Sequence, residues 1–339
     1  MLSGRRGVMV ISLDLELSWG RFDKMSIEKL NAESMEERRH IKRLLALMDQ
    51  YDIPATWAMV GHLFLDRCER NDQGVAHADH TPHAAYSWLP HEWYRHDPCT
   101  EAFRAPAWYA PDVLEWIRNA KVRHEVGSHS FGHIYYGDPE CTPKIAEVDL
   151  NAAMRAAEEK GITLTSFVFP RNMVGHLTVL RKLGIKAYRG QDPLMRGRRF
   201  PPILRAVHYW HQFWGIRPDP VRAEETLPGM WNIPGNQFFM PKDGIRKLIP
   251  MACQVRRGKA GIDQAIKRGD LYHLWFHPFN LNAKPDTMFS GLERIFTYAS
   301  RMREKGLLDI LTMRDYARQL EGEKRKRSTA SYSLASSQT

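Results

Sequence analysis

The chain has 339 residues, a formal net charge of +10 and a hydrophobic fraction of 43%. This length and apolar content favour one enzyme-sized domain over several small ones, and no window approaches the roughly 20 apolar residues of a membrane span. The four cysteines are scattered and form no C-x-x-C pair, which argues against both a disulfide framework and cysteine-bound zinc.

Strand and helix signals alternate along the chain. Short apolar runs predict eight strands, which in chain order are 8–13, 55–60, 124–127, 166–169, 185–189, 231–233, 271–276 and 309–312. Amphipathic stretches predict helices over 36–51, 110–120, 144–160, 176–183 and 290–305. This alternation is typical of parallel βαβ units and predicts an α/β fold.

Two segments depart from this alternation. Residues 66–107 are rich in His, Pro, Trp and Asp and lack a clean period, so they predict a long insertion over one end of the sheet. Residues 322–339 combine a basic cluster with Ser, Thr and Ala and predict a disordered tail. We therefore expect one domain over residues 1–321. The N-terminal sequence lacks the pattern of a secretory signal, so a cytoplasmic protein is expected.

Much of the positive charge is local. It lies in the clusters 196–199, 256–259 and 324–327, which are explained more simply by solvated loops and a tail than by binding to nucleic acid. No basic stripe interleaved with aromatic residues accompanies these clusters, so no nucleic-acid partner is expected. Peripheral contact with an anionic membrane surface stays open, and the oligomeric state is not indicated.

Two carboxylates close the first predicted strand. Because side chains alternate across a strand, Asp14 and Glu16 share a face if the extended geometry persists to that point. Acids at the carboxyl end of a buried parallel strand occupy the position where α/β barrels place their chemistry. The alternative is that Asp14 begins a turn and Glu16 is solvated.

Two histidines follow the third predicted strand. His129 and His133 are four positions apart, and on one helical turn both side chains would lie on the same face and could reach one divalent cation. Together with the carboxylates they predict a metal site with a spare base.

Two further strands end in polar residues. His277 lies at the end of strand 271–276, before a proline, and so at the same end of the sheet as Asp14. His273 lies deeper on this strand and is interpreted as a core histidine with satisfied hydrogen bonds. Arg171 and Asn172 follow strand 166–169, where Arg171 could pair with a buried carboxylate and hold it ionised.

These four segments, taken in chain order, resemble the polysaccharide deacetylase family, also called carbohydrate esterase family four, over roughly residues 7–316. The resemblance implies a distorted seven-stranded β/α barrel. It also implies the following roles: Asp14 as the base, Glu16, His129 and His133 as metal ligands, Arg171 as the brace of the base, and His277 as the acid. The pattern departs from the family at three points: Leu15 separates the two acids, Pro170 precedes the arginine, and an aspartate-tryptophan motif is not recognisable.

The resemblance implies a metal-dependent hydrolase that removes an N-acetyl group from a sugar. Zn²⁺ is the expected ion, with Co²⁺ or another divalent ion as an alternative. The substrate would be a glycan, a lipid-linked intermediate or a nucleotide sugar, with Trp19 and Asn172 as substrate-binding residues. Two alternatives stay open: hydrolysis of another non-peptide C–N bond at the same metal site, or a non-catalytic relative that only binds glycans.

Overall fold

A computed structural model describes residues 5–190 and 218–336 of the chain. The basic cluster 196–199 lies outside the described residues.

Ten strands of the described part form one sheet. They are β1 (Gly7–Leu15), β2 (Thr56–Met59), β3 (Glu125–Ser128), β4 (Ser166–Val168), β5 (Ala187–Arg189), β6 (Glu224–Leu227), β7 (Met230–Asn232), β8 (Gln237–Phe238), β9 (Leu271–Phe276) and β10 (Leu308–Leu311).

The sheet is mainly parallel and curls toward closure. Seven strands follow the order β7-β5-β4-β3-β2-β1-β9, and all their pairings are parallel. The chain between β7 and β8 connects the two ends of this parallel order. At one end the Ile233 N–H donates to Tyr188 O of β5, and at the other the Asn236 N–H donates to His273 O of β9. Strand β6 pairs antiparallel with β7, and β10 pairs parallel with β1.

Seven α-helices of the described ranges surround this sheet. They are α1 (Ile27–Tyr51), α2 (Pro111–Arg118), α3 (Pro143–Glu158), α4 (Leu177–Lys182), α5 (Met251–Arg268), α6 (Pro285–Glu304) and α7 (Met313–Ser336). Within those ranges, no helix combines the length and apolarity needed to cross a bilayer.

Strand β1 is the centre of the fold. All nine of its residues are buried, and it pairs with β2, β9 and β10. Burial on both faces accounts for its near-continuous apolar sequence. Because its neighbours run parallel, their carboxyl ends meet at one edge of the barrel, where polar side chains from several strands converge.

The predicted parallel α/β architecture is confirmed, and all eight predicted strands are present with end shifts of at most two residues. Helix α5 escaped prediction because Gly258 and Gly261 suggest a loop. Both glycines instead allow the helix to approach β9 closely, since a Cβ at position 261 would lie 2.5 Å from the Tyr272 ring.

The C-terminal segment differs from the expected disordered tail. Helix α7 continues from Met313 through residue 322 to Ser336. Two ion pairs attach this helix to the rest of the chain: Lys324 Nζ donates to the Glu225 carboxylate of β6 at 2.7 and 2.8 Å, and Arg5 pairs with Glu323. Before these pairs, Met313, Tyr316, Ala317 and Leu320 form a buried apolar face that packs the first half of the helix against the sheet.

The segment 66–107 contains little regular structure and packs against the loop that follows β3. The Trp93 indole N–H donates to Gly132 O at 2.6 Å, and the Tyr86 hydroxyl donates to Tyr135 O at 3.3 Å. The segment thus lies beside the residues expected to bind metal.

Candidate active site

Asp14 is buried at the carboxyl end of β1 and forms a bidentate ion pair with Arg189. The two guanidinium nitrogens donate to Oδ1 and Oδ2, each at 2.6 Å. Burial alone would raise the pKa of Asp14, but the positive charges of Arg189 and His277 and the hydrogen bonds from Arg189 together outweigh burial, and the pKa lies below its ordinary value. Asp14 is therefore an ionised carboxylate inside the protein, and the alternative of a turn residue is wrong.

Arg189 ends β5 and is held on several sides. It donates to Ser12 Oγ at 3.0 Å and to Asn172 Oδ1 at 3.1 Å, and its guanidinium lies 4.3 Å from the centre of the Trp275 ring. Five donors in a rigid planar group suit this position, which a lysine could not reproduce. The pair with Asp14 consequently has one defined orientation.

Glu16 lies just beyond β1 and faces two imidazoles. Its Oε1 atom is 3.1 Å from His129 Nε2 and 3.1 Å from His133 Nε2, and all three side chains are buried. Tetrahedral zinc with nitrogen and oxygen ligands at about 2.0–2.1 Å places the ligand atoms roughly 3.3 Å apart. The three atoms therefore have the spacing of one face of a zinc site.

The hydrogen bonding of His129 supports a cation at this place. Its Nδ1 lies 2.7 Å from Val168 O, and since a carbonyl oxygen only accepts, Nδ1 carries the proton. In the neutral ring, the Nε2 lone pair then faces the Glu16 carboxylate, so two acceptors oppose each other. Burial lowers the pKa of His133 to about 4, which keeps its ring neutral. An imidazole whose far nitrogen donates to a carbonyl, as in His129, is a characteristic metal ligand.

The two histidines are brought together by a loop, not by the helical turn that their spacing suggested. Ser130 and His133 have positive φ angles of 69° and 61°. The buried Asp149 of α3 shapes this loop, because its carboxylate accepts hydrogen bonds from Ser130 Oγ at 2.8 Å and from the N–H groups of Phe131 and Gly132 at 2.9 and 3.1 Å.

Gly20 leaves the space that the Glu16 carboxylate occupies. A Cβ at position 20 would lie 1.7 Å from Glu16 Oε2. Gly20→Ala should therefore displace Glu16 and weaken metal binding about 10- to 100-fold, as for other changes in the groups around metal ligands. Titration of the metal-free protein with Zn²⁺ measures this. Gly322→Ala is the control, because nothing lies within 4 Å of that position; equal affinity of the two variants would contradict the assignment.

His277 lies beside both carboxylates. Its Nε2 is 3.4 Å from Glu16 Oε1 and 3.6 Å from Asp14 Oδ2. Burial lowers its pKa, but the negative charges of Glu16 and Asp14 outweigh burial and the pKa is raised. Asn280 Oδ1 lies 3.4 Å from Nδ1, on the opposite side of the ring, and Phe279 stacks on it at 4.6 Å between ring centroids.

His273 is a satisfied core histidine, as predicted. Its ring is fully buried, with Nε2 at 2.8 Å from Ser12 Oγ and Nδ1 at 3.1 Å from Ile233 O.

Arg171 does not brace Asp14, which corrects the sequence-based assignment. It donates to Asp23 Oδ1 at 2.8 Å and to Gly20 O at 3.0 Å, and its Nε donates to the Tyr135 hydroxyl at 3.1 Å. The reason is geometric: the chain turns sharply after β4, with φ angles of 55° at Arg171 and 54° at Asn172. Arg189, one strand further along the sheet, takes the place beside Asp14.

Trp19 is also misassigned as a substrate-binding residue. Its side chain is 1% exposed, and its indole N–H donates to Trp108 O at 3.1 Å. The ring is enclosed by aromatic neighbours and offers no free face for a sugar. Asn172 does lie at the edge of the site, where its Oδ1 accepts a hydrogen bond from Arg189.

Sequence reasoning missed Arg189 and Asp149. Each leaves a weak signal in the sequence. Arg189 is a charged residue at the end of an apolar strand, and Asp149 is a charged residue on the apolar face of a helix. Such a residue is buried only when it is paired, so its position hints at an internal partner. The partner itself cannot be read from the sequence.

Scans with family sequence models and searches of curated sequences give no match to the chain. Solved structures do share its fold. A Mycobacterium smegmatis protein described as a polysaccharide deacetylase is 13% identical with a TM-score of 0.59, over 95% of this chain and 92% of the other. A Pseudomonas aeruginosa PAO1 protein of the same description is 14% identical with a TM-score of 0.57, over 93% and 90%. Puue allantoinase is 14% identical with a TM-score of 0.56, over 93% and 90%.

The chain thus has the polysaccharide deacetylase fold, the distorted (β/α)7 barrel that the resemblance to this family implied. A fold shared at this level of identity does not determine the reaction, so function has to be argued from the site.

Proposed function

We propose that this protein is a metal-dependent carbohydrate N-deacetylase, which hydrolyses the acetamide group of an N-acetylated sugar. One observation carries the proposal: the buried Glu16 Oε1 faces two imidazole nitrogens at 3.1 Å, beside the ionised Asp14. This is a set of ligands for one divalent ion with a separate carboxylate next to it.

Glu16, His129 and His133 would hold the ion, and Zn²⁺ is the expected species because its usual ligands are imidazole nitrogen and carboxylate oxygen. An ion bound by three protein groups supplies Lewis acidity toward an amide carbonyl and makes water more acidic.

Asp14 would act as the general base. It stands beside the ligand set without being part of it, since Arg189 binds both of its oxygens. Arg189 keeps the carboxylate ionised and fixes its direction, so that it accepts a proton from the attacking water.

His277 would act as the general acid. The carboxylates beside it raise its pKa and thus favour the protonated ring, which can donate a proton to the departing amine. Asn280 accepts from the Nδ1 side and directs Nε2 toward the reacting groups. The amide oxygen of Asn280 therefore takes the orienting role for which no aspartate-tryptophan motif was found.

Trp88, in the segment 66–107, is the aromatic residue best placed to contact a sugar in the described part of the chain. It is 44% exposed and stacks on Tyr135 at 5.3 Å between centroids, and Tyr135 in turn contacts the His133 ring at 6.0 Å. An exposed indole at this distance from the ligands could stack on a sugar ring next to the acetamide. Asn172, which accepts a hydrogen bond from Arg189, stays a predicted substrate-binding residue.

Trp88→Ala should raise KM about 5- to 10-fold with little change in kcat, because an aromatic contact contributes about 1 kcal/mol to binding. Steady-state kinetics on an oligosaccharide substrate measures this. Phe103→Ala is the matched control, since Phe103 is an exposed aromatic residue of the same segment at 76% exposure. Similar effects of the two variants would contradict the role of Trp88.

A second candidate is hydrolysis of a ureide or another non-peptide C–N bond. It is favoured by the similarity to Puue allantoinase, whose TM-score of 0.56 is close to those of the two proteins described as deacetylases. The same ligands and base would serve this reaction, so the two candidates differ only in the substrate.

The predicted cytoplasmic location stays a prediction.

The experiment is a substrate panel assayed with metal-free and metal-reloaded protein. N-acetylglucosamine oligomers, N-acetylated nucleotide sugars and allantoin are incubated with protein reloaded with Zn²⁺ or Co²⁺. The proposal predicts acetate release that requires the metal and is lost in Glu16→Gln. Glu36→Gln is the control, because Glu36 is an exposed residue of α1 that pairs with Arg39. Ring opening of allantoin without acetate release would favour the second candidate, and turnover by the metal-free protein would contradict both.

A further inference from the structure

A second group of potential metal ligands lies apart from the active site. His62 follows β2, and Cys68, His77 and Asp97 lie in the segment 66–107. One ligand atom from each residue lies within 4.8 Å of the other three. Nothing in the proposed hydrolysis uses these residues.

The four side chains converge on one point. Asp97 Oδ2 lies 2.9 Å from His62 Nε2 and 2.7 Å from His77 Nε2. Cys68 Sγ lies 3.6 Å from both His62 Nε2 and Asp97 Oδ2. A sulfur ligand with a bond of about 2.3 Å lies about 3.6 Å from the nitrogen and oxygen ligands of a tetrahedral zinc ion, as Cys68 Sγ does here. The distances from Asp97 to the two histidines are about half an ångström shorter than the roughly 3.3 Å between nitrogen and oxygen ligands, so these side chains would move apart slightly around the ion.

His62 presents its two ring nitrogens to opposite partners. Its Nδ1 lies 3.2 Å from Trp108 O, so the Nδ1–H group donates to that carbonyl. Its Nε2 points at Asp97 Oδ2 from a ring with 0% exposure, and a metal ion between these two atoms would be bound by both. The same arrangement, with Nδ1 on a carbonyl and Nε2 on a carboxylate oxygen, occurs in His129 of the active site.

A second layer of contacts orients the ligands. The Tyr109 hydroxyl lies 3.0 Å from Cys68 Sγ and donates to Asp97 Oδ1 at 3.3 Å. The Cys99 N–H also donates to Asp97 Oδ1, at 3.0 Å. Both groups donate to Oδ1 of Asp97 and leave Oδ2 directed at the ring nitrogens. Hydrogen bonds of this kind commonly orient the carboxylate ligands of bound metals.

We propose that His62, Cys68, His77 and Asp97 bind a structural Zn²⁺ ion, with Cys68 as a thiolate. Four protein ligands complete a tetrahedral site and leave no open position for a substrate, which distinguishes this site from the three-ligand set at Glu16. On binding, the ion displaces the thiol proton of Cys68 to solvent. The ion would attach the segment 66–107 to the turn after β2, and this segment contacts the active-site loop through Trp93.

The ion would have a route into the site. Cys68 and His77 line a surface cleft of about 510 Å³. The sequence argued against cysteine-bound zinc because no C-x-x-C pair is present, but that rule covers only ligands close together in sequence. Here the long segment brings distant ligands together.

Cobalt substitution tests the proposal with a signal that the active site cannot give. The active-site ligands include no sulfur, so a thiolate-to-cobalt charge-transfer band in the near ultraviolet reports only the proposed site. Metal-free protein, kept reduced, is titrated with Co²⁺ and its absorption is recorded. We expect the band in the unmodified protein, and about two zinc ions per chain after reloading with Zn²⁺.

Three variants separate the sites. Cys68→Ser should lose the band, whereas Cys99→Ser, which changes the thiol next to Cys68 that is not among the four ligands, should keep it. Glu16→Gln should keep the band even if the proposed hydrolase function is wrong. The proposal is overturned if the unmodified protein shows no band, or if the band persists in Cys68→Ser. The first of these outcomes needs no variant, so misfolding of a variant cannot hide a failure.

Discussion

Asp14→Asn is expected to lower kcat by about 10²- to 10⁴-fold, the usual contribution of a general base. The amide has nearly the same shape as the carboxylate but cannot accept the proton from water at neutral pH. Because Glu16, His129 and His133 are untouched, the variant should still bind one zinc ion at the active site. Steady-state kinetics and metal analysis of the same sample measure both quantities.

Asp286→Asn provides the control for this substitution. Asp286 lies at the start of α6, its side chain is 94% exposed, and it pairs with Arg43 on the surface. The control should keep full activity. If Asp14→Asn kept more than a tenth of the wild-type kcat, Asp14 would not be the base.

Arg189→Met is expected to lower both stability and activity. It leaves the Asp14 carboxylate buried without its ion-pair partner, which typically costs 3–5 kcal/mol of unfolding free energy. The pKa of Asp14 should rise, since burial would no longer be opposed by the guanidinium charge. A protonated Asp14 cannot act as a base, so kcat should fall together with stability. Urea unfolding and kinetics measure the two effects.

Arg171→Met is the matched comparison, because it tests the arginine that the sequence assigned to the same role. Arg171 pairs with Asp23 and is 26% exposed at its side chain, so its loss should cost less stability than the loss of Arg189. It should also leave the Asp14–Arg189 pair intact. A larger loss of kcat in Arg171→Met than in Arg189→Met would restore the sequence-based assignment.

The sequence allowed the convergence of five residues to be predicted, because the carboxyl ends of parallel strands meet at one edge of a barrel. These residues are Asp14, Glu16, His129, His133 and His277. Residues that directly follow buried parallel strands meet at the same edge, whatever the details of packing. Each of these residues ends an apolar strand or follows one closely. Strand order did not have to be known to expect that they approach each other.

The pairing of the arginines was not predictable in this way. Arg171 and Arg189 both follow or end strands at the correct edge, and both are long enough to reach a carboxylate. The backbone turn after β4 decides between them by directing Arg171 toward Asp23. A turn with positive φ at two residues that are not glycine leaves no clear mark in the sequence.

Trp19 was misassigned for a related reason. Whether this tryptophan contacts a ligand or the core depends on how the segment 66–107 folds over it, as Tyr94 does at 5.9 Å between ring centroids, and that segment has no periodicity from which its path could be predicted. The same folding brings Cys68 to His62 and Asp97. Long irregular segments determine contacts that local patterns do not encode.

The most direct test of the proposed catalytic metal site is a crystal structure of zinc-loaded protein, with anomalous diffraction recorded at the zinc absorption edge. We expect an anomalous peak between Glu16 Oε1, His129 Nε2 and His133 Nε2, with the Asp14–Arg189 pair beside it and outside its coordination. An active, zinc-containing protein whose crystals show no peak at these three atoms would contradict the proposed site.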